Sequence, residues 1–198
     1  SDVDLTKSGV YAYSDSPNFT VLLVAYAFED EETKIVDLAC GEKLPQKFLD
    51  ALTDESVIKI AFNAAFERTC LSRYLGIPLS PASWQCTAVQ SAMLALPLSL
   101  EGVGGVLDIQ RKKLKEGTDL VRYFSIPCKP TKANGGRTRN LPEHAAEKWE
   151  LFKTYCIRDV DAEREIRWKL RNFPISGGEM ELYRLDQEIN DRGILVDH

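Results

Sequence analysis

Two groups of polar residues have the types and the spacing that could do chemistry. Tyr155 and Asp159 are four residues apart in LFKTYCIRDVDAERE, so they share one face of a predicted helix. A tyrosine hydroxyl beside a carboxylate can orient a water molecule that a metal ion on the carboxylate activates. Asn63, Phe66 and Glu67 form the second group, which combines an amide, an aromatic ring and a carboxylate. The two groups together are candidates for a metal-assisted hydrolytic site.

Each group also has an ordinary structural explanation. An acidic residue such as Glu67 in the first turn of a helix is favoured by the helix dipole. A tyrosine and an aspartate four residues apart are common on a solvated helix face. Phe66 lies on the apolar face of its helix, where it could be a core residue.

The elements around both groups predict an α/β domain. Strand patterns occur at about 20–28 and 34–38, and the acidic turn EDEET joins them as an antiparallel hairpin. A third strand, at about 57–62, runs directly into the helix that Asn63–Glu67 open. This connection places the polar turn at the carboxyl end of the sheet, where open α/β sheets bind their ligands.

Helices and loops fill the rest of the sequence. A long helix begins at Pro142, reaches about Leu170 and carries Tyr155 and Asp159. The other expected elements are a helix at 44–52, two helices broken at Pro97 within 84–114, a tight turn at the glycine-rich run 102–106, a polar basic loop at 129–139, a linker after Asn172 and a last helix at 179–192.

The composition is that of an ordinary folded protein. Its 198 residues predict one large domain, or one domain with an appendage. The formal net charge of -5 excludes a wholly basic binder but allows a nucleic-acid enzyme with a local basic stripe. Five scattered cysteines and two histidines lack zinc-site spacing, and no apolar run is long enough to span a membrane. We therefore expect a soluble intracellular protein with reduced thiols, and both ends look cut, as in a fragment.

The order N-x2-F-E after a strand, then Y-x3-D on a late helix, resembles the second and third motifs of the DEDD exonucleases, in their tyrosine-containing branch. Stretches such as WQCTAVQSAMLALPLSLEGVGGVL and RDVDAEREI are similar to the proofreading domains of phage-type family A DNA polymerases. The tail LYRLDQEINDRGILVD resembles the junction that leads into the polymerase domain. The resemblance covers essentially the whole chain. It divides the chain into an exonuclease-like domain at 1–172 and, at 173–198, a linker with the truncated start of a polymerase domain.

The resemblance implies an RNase H-like exonuclease fold with a mixed central sheet flanked by helices. The implied activity is 3′–5′ hydrolysis of the terminal phosphodiester of a DNA strand, which proofreads during DNA replication. The implied cofactors are two Mg²⁺ or Mn²⁺ ions, with Asp159 on the inner metal and Glu67 on the outer one. Tyr155 would position the attacking water, and Asn63 and Phe66 would contact the terminal nucleotides.

The implied partners are single-stranded DNA or a primer 3′ end, and a covalently continuous polymerase domain in the parent protein. Two basic segments, 111–115 and 129–139, are expected to follow the phosphate backbone, although solvated loops are the plain alternative. The binding residues in the second segment are Lys129, Lys132, Arg137 and Arg139. We expect a monomer without membrane attachment, in the cytoplasm of a bacterial or phage-infected cell.

Two departures from the family pattern concern the acids. Glu67 stands where the second motif usually ends in Asp, and one extra methylene shifts the geometry of an outer metal ligand. The first motif, a strand bearing D-x-E, is absent, so the chain is expected to lack its first strand and its principal metal ligands. Asp2 and Asp4 have the spacing of a surrogate pair on a strand, but they match the segment downstream of that motif better.

Two alternative functions follow from these departures. One is a catalytically silent domain of the same fold that serves as a scaffold or DNA-guiding surface, and it describes this chain as it stands better. The other is a free-standing RNA-processing exonuclease of the same superfamily, against which the polymerase-like tail argues. The fragment itself is expected to show no appreciable exonuclease activity.

Overall fold

Helices dominate the fold, and two pairs of short strands interrupt them. A computed structural model describes residues 1–110 and 117–195. Within this described part, no helix is both long and apolar enough to cross a membrane. The elements in chain order are α1 (Leu5–Asp15), β1 (Leu23–Tyr26), β2 (Lys34–Asp37), α2 (Gln46–Thr53), β3 (Lys59–Ala61), α3 (Ala64–Leu75), β4 (Trp84–Cys86), α4 (Thr87–Met93), α5 (Leu100–Val106), α6 (Gly117–Ser125), α7 (Ala146–Leu170) and α8 (Gly177–Arg192).

The four strands found in the described residues form two separate pairs. β1 and β2 run antiparallel with Val24 opposite Val36, which confirms the predicted hairpin. β3 and β4 run parallel with Ile60 opposite Gln85. Over the described ranges, no strand joins the two pairs into the single mixed sheet that the sequence predicts. The mixed α/β character is therefore confirmed, but the continuous central sheet is not.

β4 corrects the prediction of helix from Trp84 onward. The strand has only three residues, which is too short to show a period. It forms because Trp84 and Cys86 are buried and because β3, well upstream in the sequence, provides its backbone partners. The predicted helices follow it as α4 and α5, and the break between them contains Pro97 as expected.

The glycine-rich run 102–106 is helical and not the tight turn that the sequence suggests. Ser99 caps α5, and its hydroxyl accepts a hydrogen bond from the Gly102 N–H at 3.1 Å. A Cβ at Gly104 would lie 2.8 Å from Ile109 Cδ1, so this glycine allows a close approach. Tight packing thus outweighs the low helix propensity of glycine.

One hydrophobic core joins both strand pairs. Val24 of β1 shares it with Trp84 and Cys86 of β4, Leu52 of α2 and Leu71 of α3. Burying a large apolar side chain stabilises a fold by about 1.5–3 kcal/mol. The two strand pairs therefore face the same core although they share no backbone ladder.

The long helix α7 ties the remaining elements together. Its 25 residues extend for about 37 Å, and it contacts β1, β2, α4, α5 and α6. Ala162 and Ile166 pack against Val103 of α5. Nearer the start of α7, Trp149 Nε1 donates a hydrogen bond to Asp37 Oδ2 at the end of β2, at 2.7 Å. The helix thus contacts elements from both halves of the sequence and can carry several functional groups along one face.

The N-terminal aspartates do not form the surrogate pair on a strand. Asp4 is the N-cap of α1, and its Oδ1 accepts a hydrogen bond from the Thr6 N–H at 3.0 Å. Asp2 accepts hydrogen bonds from Ser16 and Asn18, just beyond the other end of α1. Both carboxylates are used to fix the ends of a helix, so their placement as strand-borne metal ligands is wrong.

Candidate active site

The junction between β3 and α3 has an unusual backbone. Asn63 is the N-cap of α3 and lies in the left-handed region, with φ 73° and ψ 49°. Asparagine tolerates this region better than most residues, although it still costs energy. The side chain of Asn63 makes no capping hydrogen bond and is exposed. The junction therefore presents an amide to solvent at the carboxyl end of a strand, as the sequence predicts.

Glu67 is not an ordinary solvated acid of a first helical turn. Its Oε2 atom is shielded from solvent and has no hydrogen-bond partner among the described residues. Burial raises the pKa of its carboxyl group to about 8, and this effect exceeds that of a backbone hydrogen bond that lowers the pKa. The charge of Glu163 on α7 raises the pKa further. An exposed acid that only stabilises the helix dipole would show neither feature.

Tyr155 and Asp159 form a partly buried pair on α7. Tyr155 is 6% exposed, and its ring stacks on Phe152 with the centroids 6.3 Å apart. Burial, the charge of Asp159 and a hydrogen bond to the Asp159 carboxylate all raise the pKa of the Tyr155 hydroxyl. Asp159 is itself half-buried, with its Oδ1 atom shielded from solvent. The pair is therefore not a solvated helix face.

Glu163 is a third acid at this place, and the sequence argument gave it no role. It is 8% exposed, and one carboxylate oxygen accepts a hydrogen bond from the Thr87 hydroxyl at 2.5 Å. Burial raises its pKa, although Thr87 and nearby arginines act in the opposite direction. The spacing of four residues from Asp159 was the available signal, since it continues the same helix face.

Glu163 relates the first turn of α3 to α7. Its charge is near enough to raise the pKa of Glu67, and it lies one helical turn after Asp159 on α7. A strand–helix junction and the middle of a long helix thus contribute acids to the same part of the protein. That Glu67 and Asp159 approach closely enough to share a metal cluster stays a prediction.

These acids fit a divalent cation in chemistry but not in number. Carboxylate oxygens are the ligands that Mg²⁺ and Mn²⁺ prefer, and the buried Glu67 Oε2 atom has no partner that a cation would displace. Across residues 1–110 and 117–195, however, no three His, Cys, Asp or Glu side chains converge as a metal site requires. The described residues therefore contain suitable acids but no cluster of three ligands.

Phe66 is neither fully buried nor fully exposed, so it has features of both roles that the sequence predicts, a core residue and a nucleotide contact. The residue is half-buried, and its ring is tilted against Tyr13 of α1 with the centroids 6.2 Å apart. It is not one of the buried residues that form the hydrophobic core around Val24 and Trp84. The ring thus has one packed side and keeps some exposure, which suits a contact with a base.

The basic loop at 129–139 has a defined structure. Asn134 organises it, because its Oδ1 accepts hydrogen bonds from the N–H groups of Thr131 and Gly136. Arg137 is half-buried and donates to Asn140, and Arg139 donates to the Asn18 carbonyl at 2.7 Å. Of the predicted binding residues, Lys129 and Lys132 are the exposed ones. The other basic segment, 111–115, lies outside the described residues.

The fold and the site together define a mixed α/β protein whose buried acids come from a strand–helix junction and from a long helix with a neighbouring tyrosine. No family model matches the chain, and no solved structure matches it. The chain is 55% identical, over 197 residues, to the DNA polymerase of Bacillus phage SP02. The match covers the whole chain but only 30% of that polymerase. This similarity supports a segment related to a DNA polymerase.

Proposed function

We propose that the chain is the 3′–5′ exonuclease domain of a phage-type DNA polymerase, which removes the terminal nucleotide of a DNA strand. The observations that carry the proposal are the Tyr155–Asp159 pair on α7 and, in the first turn of α3, Glu67 with its Oε2 atom shielded from solvent. Similarity over the whole of this chain to part of a phage DNA polymerase supports its place within such an enzyme. In this proposal the domain proofreads during DNA replication, within an intracellular enzyme.

Asp159 and Glu67 are the residues that would hold Mg²⁺ or Mn²⁺. A bound divalent cation lowers the pKa of a water molecule and stabilises the charge that develops on the phosphate oxygens. The chain contributes carboxylate oxygens that are shielded from solvent. Because the pKa of Glu67 is about 8, its carboxyl group holds a proton at neutral pH and has to lose it to act as a ligand.

Tyr155 acts as an orienting group in this proposal. Burial and the neighbouring Asp159 raise the pKa of its hydroxyl group, so it stays protonated at physiological pH. A hydroxyl group that keeps its proton can orient a water molecule by hydrogen bonds but cannot act as its base. The hydrogen bond to Asp159 fixes the hydroxyl beside the carboxylate.

The DNA contacts are assigned to residues around the β3–α3 junction and the basic loop. The exposed Asn63 amide and the Phe66 ring are available to the terminal nucleotides. Lys129 and Lys132 are exposed and suit phosphate contacts. Arg137 and Arg139 already bind neighbouring backbone and side-chain oxygens, so their contribution to DNA binding is smaller in this proposal.

A second candidate function is the silent scaffold, and it applies to this chain by itself. Over the described ranges, the edge of β1 opposite β2 and the edge of β3 opposite β4 have no strand beside them. Over the same ranges, no three His, Cys, Asp or Glu side chains form a cluster that could hold a metal ion. In the family pattern a strand that bears D-x-E supplies the principal ligands, so we propose that the chain alone does not hydrolyse DNA.

The test of the main proposal uses the polymerase that contains this chain. Replacing Asp159 with Ala should reduce Mg²⁺-dependent digestion of a single-stranded oligonucleotide to the assay background and leave primer extension intact, because only a ligand is lost. Glu147→Ala is the matched control, since it removes an exposed acid from the same helix. Digestion by the Asp159→Ala enzyme at the wild-type rate would refute the proposal.

The assigned role of Tyr155 is tested in the same assay. Tyr155→Phe keeps the ring and removes the hydroxyl, so digestion should slow by about 10-fold and stay well above that of Asp159→Ala. A Tyr155→Phe enzyme as inactive as Asp159→Ala would contradict the division of roles between the two residues.

A further inference from the structure

Gly117, the first residue of α6, is in unusually close contact with Tyr155. A Cβ atom at Gly117 would lie 2.0 Å from Cε2 of Tyr155, 2.3 Å from Cδ2 and 2.8 Å from Cζ. Carbon atoms in ordinary contact are roughly 3.5–4.0 Å apart. Any larger residue at Gly117 would therefore displace the ring or the start of α6 by more than an ångström.

The position of Gly117 on α6 is one where an apolar side chain is expected. Gly117, Leu120 and Phe124 follow the spacing of one helix face, and all three are buried. Leu120 and Phe124 use their side chains to pack against the aromatic cluster of α7. At Gly117 the backbone alone fills the space, and the ring of Tyr155 occupies the volume of the missing side chain.

The same helix also fixes the plane of the Tyr155 ring. Phe124 of α6 stacks on Phe152 with the centroids 5.5 Å apart and the planes at 14°. Phe152 in turn stacks on Tyr155 with the same interplanar angle. α6 therefore supports Tyr155 through this stack and also directly, through Gly117.

We infer that Gly117 is a positioning residue for Tyr155, whose hydroxyl lies beside Asp159 because no side chain at Gly117 displaces the ring. The inference rests on the proposed exonuclease function, since Tyr155 orients water only in that proposal. The ring edge formed by Cδ2, Cε2 and Cζ meets Gly117, and Cζ carries the hydroxyl. A displacement of this edge is thus passed directly to the hydroxyl group.

The first test is Gly117→Ala in the polymerase that contains this chain. A misplacement of about 1 Å at a catalytic group can slow a reaction by as much as 100-fold, so we expect the exonuclease kcat to fall by about 10- to 100-fold. The KM for the oligonucleotide and the rate of primer extension should stay within about twofold. Gly105→Ala is the matched control, because a Cβ at this helical glycine meets no atom within 4 Å.

A double-mutant cycle separates positioning from general damage. In a Tyr155→Ala background the added Cβ has space, so Gly117→Ala should cause no further loss of kcat. The inference is overturned if Gly117→Ala behaves like Gly105→Ala, or if it lowers kcat by the same factor with and without Tyr155.

The same double-mutant cycle can be measured by unfolding the chain itself, which requires no enzymatic activity. Gly117→Ala should lower the denaturation midpoint of the wild-type chain and leave that of Tyr155→Ala unchanged or higher, because alanine favours helix. If the polymerase shows no Asp159-dependent digestion, the proposed function fails, and this cycle still decides whether Gly117 seats Tyr155. Additive midpoint shifts would overturn the inference in that case.

Discussion

Two neighbouring residues of α3, Glu67 and Arg68, differ in how the protein accommodates an ionisable group that is shielded from solvent. Arg68 is 3% exposed, and its guanidinium group binds both carboxylate oxygens of Asp191 on α8, at 2.7 and 2.8 Å. Its Nη1 also donates to the Leu79 carbonyl at 3.0 Å. Among the described residues, the buried Oε2 atom of Glu67, one residue earlier, has no hydrogen-bond partner. The same helix therefore holds an ionisable group with a complete set of partners beside one whose shielded oxygen lacks a partner.

The pKa values follow this contrast. Burial raises the pKa of Glu67 to about 8, and the nearby Glu163 adds to the effect. Burial also acts to raise the pKa of Asp191, but hydrogen bonds from Arg68 and Tyr11 bring it below its ordinary value. A buried group with partners holds elements together, whereas one without partners is costly and typical of sites where a ligand supplies the partner.

The largest effect on stability is expected from Arg68→Ala. The substitution removes the guanidinium donor from the Leu79 carbonyl and from Asp191, which keeps its hydrogen bond from Tyr11, and so weakens the attachment of α8 to α3. Breaking a fully buried ion pair costs about 3–5 kcal/mol, and because the Asp191 side chain is 34% exposed we expect about 2–4 kcal/mol. Urea denaturation of the chain measures the loss.

Arg73→Ala is the matched control for this prediction. Arg73 is on the same helix and pairs with Asp15, but both side chains are at least half exposed, so the pair contributes only about 0–1 kcal/mol. Equal losses of unfolding free energy for the two substitutions would mean that the Arg68–Asp191 ion pair does not stabilise the packing of α8 on α3.

Glu67→Gln is expected to change the free energy of unfolding by a smaller amount and in the opposite direction, because it stabilises the chain at high pH. Because the folded chain binds the Glu67 proton more tightly than the unfolded chain does, the free energy of unfolding falls as pH rises between about 4.5 and 8. Glutamine removes the ionisable group, so at pH 8 with EDTA the variant should be more stable than the wild type by about 1–3 kcal/mol. Denaturation midpoints at pH 5, 6.5 and 8 measure the difference.

The pH profile makes this prediction specific. The slope between pH 4.5 and 8 should shrink in Glu67→Gln but persist in part, since the pKa of Glu163 is raised as well. Glu188→Gln on the exposed surface of α8 should leave the slope unchanged. A Glu67→Gln variant with the wild-type slope would show that burial does not raise the pKa of Glu67.

Local sequence patterns predicted the elements that carry the site. The hairpin, β3 and the start of α3 follow from apolar strand patterns and a polar turn, and the face shared by Tyr155 and Asp159 follows from their spacing on a long helix. These signals extend over a few residues, so no tertiary contact was needed to read them. The placement of Glu67 in a first turn was correct for the same reason.

Tertiary contacts decided the features that the sequence did not reveal. β4 depends on a strand pairing, and α5 on the packing of Ile109 against Gly104. The ion pair between Arg68 and Asp191 joins residues 123 positions apart, for which a single sequence gives no signal. The burial of Glu67 belongs to this class too, since an acid in a first turn has the same sequence pattern whether it is solvated or shielded from solvent.

The smallest expected effect is that of Mg²⁺ on the chain alone. In the proposed exonuclease, Glu67 and Asp159 are two of four expected carboxylates, and the described residues contain no three-ligand cluster. Two cations held close together repel each other strongly, and too few anions are present to offset the repulsion. With a dissociation constant of about 10 mM or weaker, 10 mM Mg²⁺ would raise the free energy of unfolding by at most about 0.4 kcal/mol.

The measurement is urea denaturation at pH 8, with NaCl at equal ionic strength as the control and an oligonucleotide digestion assay with Mn²⁺ in parallel. A synthetic peptide that bears a D-x-E strand should increase both the Mg²⁺ effect and digestion. The peptide supplies carboxylates, and the edges of β1 and β3 that have no neighbouring strand in the described ranges can accept it. Strong stabilisation or robust digestion by the chain alone would refute the conclusion that it has too few metal ligands.

Asp2 and Asp4 would not explain such a result, since the first binds Ser16 and Asn18 and the second caps α1. Glu163 would then be the acid to test, because it is buried on the same face of α7 as Asp159 and interacts with Glu67.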